Sequence, residues 1–153
     1  MEKEAIVFEP GRGKFLTARG SERFFKAVAA TTNGTFSLME RTLPPGGRKP
    51  PPHIHANCEE AYYVLDGSVD FAIGTRNYVG KPRSFILVPR GMPHTFGNVT
   101  AVPARLLVLH ALPLDAYFEE LPGIWAGNSP PTPEEELALM RRHGMEPVEP
   151  LEK

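Results

Sequence analysis

The chain has 153 residues, with 17 basic and 18 acidic side chains, 17 prolines and a single cysteine. That length suits one domain around one core. The balanced charge offers no basic patch to a nucleic acid or an anionic membrane, one cysteine excludes an internal disulfide, and no apolar run is long enough to span a bilayer. The charged start Met1-Glu2-Lys3-Glu4 is unlike a signal peptide, so the cytoplasm is the expected location.

Short β-rich runs punctuated by Gly and Pro dominate as far as Leu112. Ala5-Ile6-Val7-Phe8 reads as a first strand, closed by Pro10-Gly11. Thr35 to Leu43 reads as the next, stopped by Pro44-Pro45-Gly46-Gly47. After an extended, proline-rich approach come Glu60 to Leu65, the pair Asp66-Gly67, and Ser68 to Ile73. Asp-Gly between two such runs predicts a hairpin, because Gly takes positive φ without steric cost. Val69, Phe71 and Ile73 alternate with Ser68, Asp70 and Ala72, which gives that strand one apolar face. Ser84 to Val88 is apolar on both faces, as expected of a strand covered on both sides, and Ala104 to His110 is similar. Regularly spaced short strands with no interleaved helices predict an all-β sandwich or barrel over residues 1–112.

Residues 113–153 change character. Asp115 is placed to cap a short helix over Ala116 to Leu121, broken by Pro122-Gly123. Thr132-Pro133-Glu134-Glu135 forms a capping box with Pro at the first helical position. Gly144 ends this second helix behind Arg141, Arg142 and His143, and Leu137 with Met140 gives it a narrow apolar stripe. This helical extension is expected to pack on the outside of the barrel.

The chemistry is concentrated in Gly47 to Glu60. Prolines 50 to 52 keep the approach to His53 extended, so His53 and His55 point the same way from one strand. Glu60 follows after a turn that can swing its carboxylate back toward the imidazoles. His94, behind the turn Pro89-Arg90-Gly91-Met92-Pro93, is expected at the end of the doubly apolar strand Ser84 to Val88. Three imidazoles and one carboxylate suit a divalent transition metal, and the ligand types allow Mn, Fe, Co, Ni, Cu or Zn. Glu59 reads as a solvated charge, with replacement of Glu60 as the alternative. Cys58 reads as a small loop hydrophobe, with a soft zinc ligand as the alternative. His110 either lines a pocket or is a core imidazole, and His143 is a cation near a helix C-terminus.

At these residues the sequence resembles the cupin superfamily. The first motif of that family, G-x5-H-x-H-x4-E-x6-G, is matched by Gly47, His53, His55, Glu60 and Gly67. The second, G-x5-P-x-G-x2-H-x3-N, is matched by Pro89, Gly91, His94 and Asn98, with Arg83 in place of its opening Gly. The resemblance implies a double-stranded β-helix, or jelly roll, holding one metal through His53, His55, Glu60 and His94. The layout is also similar to small bacterial quercetinase-like cupins. That implies a metal-dependent dioxygenase acting on a flavonol-like or other aromatic enol, with Glu60 as a catalytic proton carrier. The wall expected for such a substrate is Phe36, Leu38, Tyr62, Val64, Phe71, Ile73, Ile86 and Phe96, with His110. Plain core packing is the competing reading of these side chains, and Tyr62 rather than Tyr63 should point inward. A non-catalytic small-molecule-binding cupin and a metal-assisted isomerase or decarboxylase are the alternatives. An apolar pocket would favour the oxygenase, convergent charges the isomerase. The partners expected are a small molecule and a second copy of the chain, paired through Ile6-Val7-Phe8.

Overall fold

The computed structural model describes residues 3–46 and 49–148. Gly47 of the first motif lies outside them. Eleven strands run β1 Lys14–Ala18, β2 Ser21–Ala27, β3 Ser37–Leu43, β4 His53–His55, β5 Glu59–Asp66, β6 Val69–Ile73, β7 Arg76–Gly80, β8 Phe85–Val88, β9 His94–Gly97, β10 Ala104–Ala111 and β11 Met145–Pro147. Helices α1 Asp115–Trp125 and α2 Pro133–Arg142 separate the last two strands. Two antiparallel sheets pack face to face, one of order β1-β2-β3-β10-β5-β8 and one of order β11-β4-β9-β6-β7. The architecture is the all-β jelly roll expected from the sequence, with a helical extension. No helix among the described residues is long and apolar enough to cross a membrane.

Between the sheets lies a core that includes Tyr62, Val64, Val69, Phe71, Phe96, Leu106 and Val108. Each such side chain contributes roughly 1.5–3 kcal/mol when taken out of water. The Asp66-Gly67 turn joins β5 to β6 as the hairpin signal requires. Gly67 has φ +75, and a Cβ there would sit 2.6 Å from the Pro103 carbonyl oxygen. Arg83 holds φ +74, so it keeps the left-handed backbone of the glycine it replaces. Its N–H donates to the Val64 carbonyl at 2.8 Å, and the Val64 N–H donates to the Ser84 carbonyl at 3.0 Å.

Four expectations fail here. Residues 5–8 form no strand within the chain, and Ile6, Val7 and Phe8 lie exposed. The first strand is Lys14–Ala18, whose residues are mostly exposed. Strand β8 is an edge strand, not a covered one, and Phe85 and Leu87 are 64% and 55% exposed. On β3 the inward set is Ser37, Met39, Arg41 and Leu43, which puts Leu38 on the opposite face. Asp115 does not cap its own helix: Leu114 holds the N-cap position of α1 without a side-chain cap, and the Asp115 carboxylate accepts instead from the Ala29 N–H at 3.0 Å.

The tail does more than cover the exterior. Tyr117, Phe118 and Leu121 of α1 are buried on one face, and Leu139 and Met140 of α2 join the same core cluster. Thr132 and Glu135 close a reciprocal capping box, and Gly144 ends the helix with φ +75. The chain then returns as β11, which pairs with β4 so that Met145 faces His55 and Pro147 faces His53.

Candidate metal centre

Strand β4 is only three residues long, and its alternation buries His53 and His55 on one face with Ile54 on the other. In β5 the same period turns Glu60, Tyr62 and Val64 inward and leaves Tyr63 outside. His53 is the register partner of His94 on β9, so the third imidazole arrives beside the first. The Gly91 N–H donates to the His55 carbonyl at 2.8 Å, which ties the turn before His94 to the strand carrying the histidine pair. Asn98 closes the other end of β9. Its amide donates to the carbonyls of Leu43 and Val102, and its oxygen accepts from Thr100.

Ligand atoms from His53, His55, Glu60 and His94 all lie within 4.8 Å of one another, and all four residues are buried. Nδ1 of His53 is 2.7 Å from the Pro51 carbonyl, and Nδ1 of His94 is 2.9 Å from that of Met92. These carbonyls place the ring protons on Nδ1 and aim both Nε2 lone pairs at the centre. His55 Nε2 lies 2.7 Å from Glu60 Oε2 yet makes no well-formed hydrogen bond, so a buried nitrogen is left aimed at the shared point. Three imidazoles, one carboxylate and an orphaned nitrogen fit a divalent transition metal.

Burial, followed by repulsion from His94, pushes the His53 imidazole down to about 3, and burial also lowers His55. Both are therefore neutral at physiological pH, as metal ligation requires. Burial alone would raise Glu60. His110, His55 and His94 outweigh it and hold the carboxyl well below its usual range. Burial pulls His94 down too, but Glu60 at 2.8 Å holds it above its ordinary value. His110, at the end of β10, is 1% exposed, and its Nε2 lies 3.1 Å from Glu60 Oε1. The core-imidazole reading of His110 thus gives way to a direct contact with the ligand carboxylate. Burial and the Glu60 charge raise the Tyr62 phenol well above its ordinary value.

The cavity over this centre is lined by Pro50, His53, His55, Glu60, Phe96 and His110, by Arg19 and Arg41, and by Leu114, Tyr117, Phe118 and Met145 from the tail. Its volume is about 300 Å³, solvent at its mouth included. Of the expected wall, Phe96 and His110 are present. Tyr62, Val64 and Phe71 are core, Ile73 and Ile86 pack against that core, and Phe36 and Leu38 also lie outside the cavity lining. They miss because the space between the sheets is filled by rings: Tyr62 lies 5.0 Å from Phe71 and 5.1 Å from Phe96. Arg19, Arg41 and the tail residues escaped the sequence reading. The available signal was Arg41 itself, on the same alternation as Met39 and Leu43.

Cys58 is buried, lines a neighbouring cleft beside His55, and is pushed up to about 12 chiefly by burial. It is not among the converging ligand atoms. Glu59 accepts two bonds from Arg90, at 2.9 and 2.8 Å, so it is an exposed ion pair and not an unpaired solvated charge. His143 caps α2, with Nε2 3.1 Å from Glu120.

Two antiparallel sheets carrying three imidazoles and a carboxylate at one end of the core define a jelly-roll protein with a candidate metal site. Residues 39–110 match the Cupin domain model, so this part of the chain belongs to the cupin superfamily. It is 31% identical to nectarin-1 of Nicotiana langsdorffii x Nicotiana sanderae over 113 residues, 67% of this chain and 46% of the relative. The chain spans between about a third and three fifths of the length of the curated relatives it matches: 35% of a germin-like protein of Arabidopsis thaliana and 59% of an uncharacterized protein of Methanocaldococcus jannaschii. The polyketide cyclase RemF from Streptomyces resistomycificus is similar in structure, with TM-score 0.62 and 25% identity over 71% of this chain and 80% of that one. KdgF from Halomonas sp. shares the fold at TM-score 0.63 and 14% identity, over 72% and 98% of the two chains.

Proposed function

We propose that this chain is a metal-dependent enzyme that performs acid–base chemistry, isomerisation or loss of a carboxyl group, on a small oxygen-donor substrate. The observation that carries the reading is the cavity lining. Arg19, Arg41, His110 and Tyr117 share that lining with His53, His55 and Glu60, where an aromatic-enol oxygenase would want an apolar wall.

His53, His55, Glu60 and His94 would hold the metal, which when bound polarises a substrate oxygen and acidifies the carbon beside it. Glu60 is the proton carrier, and its Oε1 stays fixed by His110 Nε2 at 3.1 Å. Leu114, Tyr117, Phe118 and Met145 roof the cavity and exclude water, which strengthens each charge inside it. RemF, a cyclase, is a relative whose named activity also fits a shared acid–base frame.

The test loads the protein in turn with Mn, Fe, Co, Ni and Zn and incubates it with small keto and hydroxy acids in deuterated water. Proton NMR follows exchange or loss of carbon dioxide, while an oxygen electrode follows a parallel flavonol panel. Exchange or decarboxylation without oxygen uptake is the expected result. Oxygen uptake with a flavonol and no exchange would return the assignment to the dioxygenase.

A further inference from the structure

Among the described residues three arginines point into the barrel: Arg19 in the turn between β1 and β2, Arg23 on β2 and Arg41 on β3. Arg23 and Arg41 are register partners, directly opposite one another on the inward face of an antiparallel pair. Like charges in that arrangement repel, and a buried cation without a counter-charge costs folding free energy. All three are almost wholly buried, at 2% of the side chain for Arg19, 1% for Arg23 and 3% for Arg41.

Their compensation is partial. Among the described residues Arg19 alone has a carboxylate in ion-pair contact, Glu136 at 3.0 Å. Arg41 Nε donates to Ser21 Oγ at 2.9 Å, and its guanidinium lies 5.0 Å above the Phe96 ring. Arg23 Nη1 donates to the carbonyls of Ala18 and Ser21 at 3.1 and 3.0 Å, but its Nε and Nη2 have no partner. Burial, then Arg41 and Arg19, pushes the Arg23 guanidinium down to about 7, and burial with Arg19 pushes Arg41 to about 10. A guanidinium keeps its proton in proteins, so both groups are held charged away from water. A bound divalent metal would add two more positive charges to the same cavity.

We propose that the Arg19–Arg41 wall, backed by Arg23, seats a carboxylate group of the substrate, so that the reaction acts on a small carboxylic acid held between guanidinium and metal. This rests on the metal-dependent reading above and names its substrate class. Both arginines line the cavity that holds His53, His55 and Glu60, so one small molecule reaches both ends. A planar carboxylate matches the guanidinium fork, with two parallel N–H donors to its two oxygens. A buried like-charge pair kept at a cost to stability is characteristic of a functional site and not of a packing solution.

The chain's single tryptophan provides the readout, because the Arg19 guanidinium sits 5.9 Å from the Trp125 ring. Malonate is titrated into metal-loaded and metal-free protein, against neutral malonamide and inorganic phosphate, at ionic strength matched with chloride. Trp125 fluorescence and Tm are followed together. The expected result is a saturable response to malonate with none to malonamide, weakened about tenfold or more in Arg41→Gln at unchanged metal content. If Arg41→Gln does not fold, the malonate–malonamide comparison on the natural chain still decides. No saturable response, an equal response to malonamide, or tighter binding of phosphate overturns the carboxylate seat. A malonate response in protein that takes up no metal leaves the seat standing and sinks the metal-enzyme reading. Metal uptake without a malonate response sinks the seat alone.

Discussion

Replacing His110 by Phe isolates the support given to the ligand carboxylate. The ring shape is nearly kept, so the loss is the donor that faces Glu60 Oε1 at 3.1 Å in a buried setting. A hydrogen bond to a charged group is worth about 1.5–3 kcal/mol. Losing an outer partner of a metal ligand costs about 10- to 100-fold in affinity, or about 1.4–2.7 kcal/mol, which agrees with that range. His110 is also the largest of the groups holding the Glu60 carboxyl low, so its removal raises that carboxyl toward protonation. Competition against a chelator of known affinity should show metal binding weakened about 10- to 100-fold. Unfolding of the metal-free protein should lose about 2 kcal/mol, a fall of about 4–8 °C in Tm for a chain of this size. His110→Gln, which keeps a donor, should recover part of both. Metal affinity within twofold of the natural chain and an unchanged Tm would refute the idea that this contact positions Glu60.

Four further outcomes are expected. His94→Ala removes one of the four ligands and should leave the purified protein largely without metal by plasma mass spectrometry; full occupancy would show that His94 is not a ligand. Gly67→Ala should cost more than about 2 kcal/mol, read by denaturant unfolding, because its Cβ would meet the Pro103 carbonyl at 2.6 Å and φ there is +75. Arg83→Gly should raise stability by about 1 kcal/mol, since a non-glycine residue at φ +74 carries a penalty of about 1–2 kcal/mol; a loss would mean that the side chain has a role. The metal-free protein should lose stability on acidification. Unfolded His53 takes up a proton near pH 6.5, whereas the folded imidazole does so only near 3, so its contribution is complete above 6.5 and fades as pH falls toward 3. The slope from this group is at most about 1.4 kcal/mol per pH unit, reinforced by the lowered Glu60 and opposed by the raised His94. A Tm that rises between about pH 7 and pH 5 would contradict that sign.

The metal cluster was legible because its signal is local. A histidine pair on a short extended segment, a carboxylate after one turn and a Pro-Gly-Pro stop before His94 each act through backbone geometry that residue type dictates. The hairpin at Gly67 and the capping box at Thr132 were legible for the same reason. Strands β2 and β3 were harder to read. Their inward positions include Ser21, Arg23, Ser37 and Arg41, so the polar-out, apolar-in rule points the wrong way where the barrel needs charge inside. Strand β8 misled in the opposite sense, with Phe85 and Leu87 on an outer face. The roof of the cavity is set by how α1 docks, and nothing local in Leu114, Tyr117 or Phe118 distinguishes a wall residue from an ordinary buried one.

Strand β11 has a consequence for the order in which the molecule is made. Its three residues are the neighbours of β4 on the side away from β9, and they join the histidine strand through Met145, Glu146 and Pro147. A growing chain releases His53 and His55 long before it releases those partners. The ten earlier strands can pair while the ligand strand is still held along one edge only, by its contact with His94. Long-range pairing of this kind is slow because the intervening loop must close first. The histidine strand therefore gains its second edge only after α1 and α2 have brought β11 back to it.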